Sequence, residues 1–158
     1  MKRVLLWRVA TALMALSWSV GASADPERQV TLNKVQGNVE VRLGGELWQP
    51  ATPGIILHER DEIRTDVQSA AELILQEGNQ KGKIDINERT HLRLSTLIVN
   101  PMTGAEETLL DLALGKVRIH VGKLDPKSKF EVRTPTSTTG VKGTIFEVSV
   151  EGSQVIAW

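Results

Sequence analysis

Among the 158 residues, three histidines (His58, His91 and His120) have the side chains best suited to acid–base work or metal ligation. Their spacing supports neither role. His58-Glu59-Arg60-Asp61 opens like the His-Glu-x-x-His helix that holds zinc, and the second histidine is missing. His120 lies between Ile119 and Val121 in an alternating run, so it is expected on the solvated side of a strand. Asp85 and Asn87 alternate with Ile84 and Ile86, and Glu88 follows, but this outward polar set lacks the glycine and close ligand spacing of a calcium loop. Gly140-Val141-Lys142-Gly143-Thr144 has the ingredients of a phosphate loop in the wrong order, and no helix is expected behind it to supply a dipole. No Gly-x-Ser-x-Gly elbow occurs, and zero cysteines remove disulfides, thiolate nucleophiles and thiolate metal sites. The expectation is a protein with no catalytic residue, no metal and no cofactor.

The elements that must carry any functional side chain are strands. Apolar residues recur at every second position in Val39-Val41-Leu43, Ile84-Ile86, Leu92-Leu94, Val117-Ile119-Val121, Phe130-Val132 and Phe146-Val148-Val150. A period of two gives strands with one buried face. Turn residues separate the runs, at Gly44-Gly45, Pro50 to Gly54, Gly78-Asn79, Asn100-Pro101, Asp125-Pro126 and Gly152. The spacing predicts about eleven short strands in an all-β domain. Val67 to Leu75 has good helix formers in Ala70 and Ala71, yet Leu73 and Leu75 keep the alternation, and it is read as a strand. Gly37, Gly115 and Gly152 each precede alternating β-branched residues, and with Gly78 they fall at similar intervals. That spacing suits an elongated β-solenoid or a sandwich; ordinary hairpins account for it equally well.

Composition narrows the function classes. A hydrophobic content of 41% with 24% charged residues is that of a folding globular domain rather than a disordered chain. Nineteen basic residues balance nineteen acidic ones, and the basic ones are scattered singly, so no nucleic-acid face is expected. Lys2 and Arg3, the apolar run Val9 to Val20 and the small residues Ala22-Ser23-Ala24 form the three parts of an export signal. Cleavage after Ala24 is expected, leaving one domain over residues 25–158, periplasmic or secreted and mildly acidic once Lys2, Arg3 and Arg8 are removed. Asp25-Pro26-Glu27-Arg28 reads as a polar lead into it. So few residues precede the apolar run that no cytoplasmic segment is expected.

The segment Thr134-Pro135-Thr136-Ser137-Thr138-Thr139-Gly140-Val141-Lys142-Gly143-Thr144-Ile145-Phe146 resembles the FecR domain. That family carries a Thr-Pro-Thr start, a hydroxyl- or alanine-rich stretch, Gly-Val-Arg-Gly-Thr and an aromatic strand residue. Upstream, Gly37 to Val41, Trp48-Gln49-Pro50-Ala51, Gly54, Leu57, Asp61-Glu62-Ile63-Arg64-Thr65, Ser69 to Leu73 and Leu114 to Val117 fall in the family's order. Arg60 and Asp66 stand where glycine is common, and Lys142 replaces the usual arginine, keeping charge but not planar bidentate donation. The resemblance implies an all-β periplasmic domain, in the best-known members part of a regulator relaying iron-siderophore signals to a sigma factor. Without a cytoplasmic segment, direct sigma-factor contact is not expected, and the chain is similar to stand-alone exported FecR-domain proteins. The partner expected is another envelope protein or a cell-envelope component; a self-assembling module and a carbohydrate or small-ligand binder are the alternatives.

Candidate recognition residues are Trp48, Arg64, Thr134, Pro135, Thr136, Gly140, Lys142, Gly143, Thr144 and Trp158. Backbone geometry alone also accounts for the Thr134 segment: Pro135 fixes its own φ, hydroxyls cap the turn, and Gly140 and Gly143 permit bends. Trp48 beside Pro50 and Pro53 is read as a core or edge plug, and as a binding anchor if exposed. Gln154 to Trp158 continues an alternating strand and stops without a guard, so partner addition or self-association through a C-terminal strand edge is expected.

Overall fold

Alternating valine, leucine and isoleucine become strands because only the pleat puts every second side chain on one face. The computed structural model describes residues 28–77, 80–141 and 145–152. Its twelve elements, all strands, are β1 (Val30–Gln36), β2 (Val39–Arg42), β3 (Gln49–Pro50), β4 (Ile56–Leu57), β5 (Glu62–Thr65) and β6 (Ala70–Glu77), then β7 (Gln80–Ile86), β8 (His91–Val99), β9 (Glu106–His120), β10 (Lys129–Arg133), β11 (Thr138–Gly140) and β12 (Ile145–Val150). The Val67 to Leu75 segment is a turn at Val67-Gln68 followed by β6, which upholds the strand reading.

One sheet runs β3-β2-β5-β8-β9-β7-β6-β1-β4, and the chain bends across it four times. Gly37-Asn38 turns β1 into β2, residues 66–69 turn β5 into β6, residues 87–90 turn β7 into β8, and β9 turns at Gly115. The first three bends each join a strand of one limb to a strand of the other, and the fourth divides β9 between the two limbs. The first limb holds β4, β1, β6, β7, the end of β9 and β12. The second holds β3, β2, β5, β8, the start of β9, β10 and β11. Both turn their apolar faces to one core, where Leu32, Leu73 and Ile84 of the first meet Val41, Ile63, Leu92 and Phe130 of the second. The seam between the path's two ends is laced by residues 51–55: the Ala51 N–H donates to Val39 O, and that of Gly54 to Leu32 O.

The fold is therefore all-β, as expected, but it is a curled open sheet rather than a solenoid or a sandwich of separate sheets. Neighbours are antiparallel except β9 and β10, whereas stacked coils would repeat one direction. The glycine spacing marked something else. Gly37 and Gly115 sit at bends with φ of +73° and +92°, Gly78 lies outside the described residues, and Gly152 follows β12.

Bending strips backbone groups from the ladder, and three buried hydroxyls take them up. Thr65 Oγ1 accepts from the Thr90 N–H and donates to Asn87 O. Thr90 Oγ1 accepts from the Lys116 N–H and donates to Glu88 O, while Ser69 Oγ accepts from the Asn38 N–H. Arg28 corrects the polar-lead reading at its last residue: it is buried, donates to Thr108 Oγ1 and Gln76 O, and pairs with Glu106 at 3.1 Å. The expected export signal, its expected cleavage site and residues 25–27 lie outside the described residues.

Candidate recognition surface

With the apolar side chains turned inward, the alternate positions of β2, β5, β8, β9 and β10 form a charged outer face on the second limb. The register places opposite signs side by side, the arrangement that stabilises neighbouring strands. Arg42 stands opposite Glu62, Glu62 opposite Arg93, Arg93 opposite Asp111 and Asp111 opposite Arg133. A second row sets Glu40 opposite Arg64 and Arg64 opposite His91.

Trp48 lies against these rows, half-buried, at the end of an exposed loop. The Arg64 guanidinium carbon is 4.3 Å from the indole centroid, that of Arg42 is 5.1 Å away, and His91 meets the ring edge-on at 5.6 Å. Each of the three is tied from below: Arg64 pairs with Glu40 at 2.7 Å, Arg42 pairs with Glu62, and His91 Nε2 is 2.7 Å from the same Glu62 carboxylate. Asp61, buried behind the loop, accepts from the N–H groups of Gly44 at 2.7 Å and His58 at 2.8 Å. A shallow cavity of about 270 Å³, lined by Asn38, Glu40, Arg64, Thr65 and Asp66, adjoins Arg64.

The electrostatics hold this face ionised. Burial works against the Glu62 charge, and hydrogen bonds from Arg42 and His91 outweigh it, leaving the carboxyl below its ordinary value. Asp111 follows the same pattern, with burial opposed by Arg133 and Ser95. On the first limb, Asn33 and Lys34 lower Glu72, and Arg118 and Lys116 lower Glu147. Groups depressed on folding contribute stability above their ordinary pKa, 4.5 for Glu and 3.8 for Asp, and lose it as pH falls through the depressed values. The melting midpoint is expected to stay level down to about pH 5 and to fall below it, with Glu62→Gln flattening part of the fall. A midpoint that rises on acidification would contradict these pairings.

A family model described as FecR protein matches residues 61–158. The chain belongs to the FecR family. No curated protein and no solved structure matches it significantly. The match begins at Asp61, so the FecR-like residues upstream of it, Trp48 included, lie outside the matched span.

Of the residues singled out from sequence, the structure joins Trp48 to Arg64 and sets Thr134, Pro135, Thr136 and Gly140 elsewhere. Trp48 packs on the outer face rather than as a core plug. Thr134, Pro135 and Thr136 form the turn between β10 and β11, where Thr134 Oγ1 accepts from the Ser137 N–H at 3.1 Å and the Thr136 N–H at 3.4 Å. The FecR motif is thus a capped turn at its start. Gly140 corrects the expected bend: it lies extended in β11 opposite Glu131, and a Cβ there would meet open space. Lys142, Gly143, Thr144 and Trp158, with the proposed C-terminal edge, lie outside the described residues. His120 is on an outer face as expected, paired with Asp85, and His91 is on the outer face of the second limb, paired with Glu62. Arg60, the departure from the FecR glycine, has φ +74°, so it keeps the conformation that glycine adopts without cost. Sequence reasoning missed Arg42, Glu62, His91 and Arg93; their outward parity was readable, but the strand order that aligns them was not.

Proposed function

We propose that this chain is a non-enzymatic FecR recognition module of the cell envelope, binding another protein or an envelope component through the face around Trp48. The observation that carries the reading is the indole held by Arg42 and Arg64, each of which is in turn fixed by an acid. Tryptophan and arginine dominate binding energy at protein interfaces, and side chains ordered beforehand lose less entropy on docking. Family membership suggests a part in envelope signalling, and the export-signal pattern of Lys2 to Ala24 supports a periplasmic or secreted location. A sugar platform has less support: Trp48, Phe130 and Phe146 are the aromatic residues among those described, and Phe130 is in the core.

The test is cross-linking of the tagged chain in intact envelopes. A defined partner is expected for the wild type, reduced at least about fivefold by Trp48→Ala at an unchanged melting midpoint, in line with loss of an interface anchor. No specific partner, or one that ignores Trp48→Ala, counts against the reading.

A further inference from the structure

Arg93 stands out in the charged row of the second limb. Both acids beside it are committed to other groups. Glu62 holds Arg42 and His91, while Asp111 accepts from Nε and Nη2 of Arg133 and from the Ser95 hydroxyl. Arg93 is exposed, and among the described residues its guanidinium makes no hydrogen bond and no close ion pair, acting on Asp111 opposite it only through space. It is an open planar fork in a row whose other charges are paired with one another, and a carboxylate is the group that a guanidinium fork accepts in two parallel bonds.

We propose that this face docks an acidic, partly apolar protein segment, whose carboxylate binds Arg93 and whose neighbouring apolar side chain rests on Trp48 and Leu47. The proposal deepens the recognition reading and rests on it. Two features select this occupant. Glu40, Glu62 and Asp111 share the face, so a dense polyanion would meet like charge, whereas a single carboxylate meets only the open arginine. Leu47, at 88% exposure beside Trp48, offers apolar contact that a bare anion would leave unused. The row also leads from Arg93 through Glu62 to Arg42 and the indole, so both contacts fall within one extended segment.

The probe is a fluorescent, end-capped octapeptide with one glutamate among valines and serines, titrated against the full chain at low salt with anisotropy as the readout. Arg93→Gln is expected to weaken binding about tenfold, the scale of one lost charged contact. Added salt should weaken it further, and Arg89→Gln, at a bend outside this face, should change it less than about twofold. Absence of wild-type binding, or equal binding by Arg93→Gln, overturns the proposal. Arg93-dependent binding of phosphatidylglycerol vesicles without peptide binding, or a concentration-dependent dimer lost in Arg93→Gln, also overturns it by making the occupant a lipid surface or a second copy. Peptide binding needs no envelope partner, so its failure alongside Trp48-dependent cross-linking removes this assignment and leaves the recognition reading intact.

Discussion

Gly115→Ala is expected to destabilise the domain by about 4 kcal/mol, enough to unfold much of a marginally stable protein. Two costs combine. At φ +92° a side chain is strained by roughly 1–2 kcal/mol. The added Cβ would also overlap Thr90 Oγ1 and Cα and lie 2.6 Å from Arg89 O, and backbone atoms at a bend cannot swing aside. Forced overlap in a packed interior costs about another 1–3 kcal/mol. Gly104→Ala isolates the first cost, because φ there is +68° and nothing lies within 4 Å of the new atom. Chemical denaturation of both variants tests the argument: equal losses would mean that the β7–β8 bend does not press on β9.

The same contact explains what the sequence made readable and what it hid. Period two in Val117-Ile119-Val121 and Leu92-Leu94 reports burial on one face directly, so the strands could be read without knowing their neighbours. Gly37 and Gly115 were also visible, as the heads of β-branched runs, and suggested a repeating coil. Their common feature is a bend against a hydroxyl, Ser69 Oγ for one and Thr90 Oγ1 for the other. That contact depends on residues 32 and 25 positions away, beyond local pattern. Thr65, Ser69 and Thr90 look like ordinary turn residues until the order of strands places a stripped backbone group beside each. The recognition face is hidden for the same reason. Arg42, Glu62, Arg93, Asp111 and Arg133 are single charges on separate strands, and only pairing makes them a row.

Asp61→Ala is expected to cost about 3 kcal/mol and, unlike the glycine change, to disturb the recognition loop directly. The carboxylate is 3% exposed and spends one oxygen on the Gly44 N–H and the other on the His58 N–H. Hydrogen bonds to a charged group contribute roughly 1.5–3 kcal/mol each, and both donor residues are exposed enough for water to offset part of the loss. The main-chain contacts of Asp61 with His58 and Leu94 survive truncation, so the strand pairing of β5 should persist. What fails is the anchor of the loop that ends at Trp48. Amide exchange over residues 43–48 should therefore quicken more than exchange in β8, and cross-linking to an envelope partner should fall along with it. Asp61→Asn should recover little, because two donors face the side chain and an amide offers one oxygen against them. If Asp61→Ala kept its midpoint and its slow exchange over residues 43–48, the loop would be held by the stacking of Trp48 with Arg42 and Arg64 instead, and the carboxylate would have no part in presenting the indole.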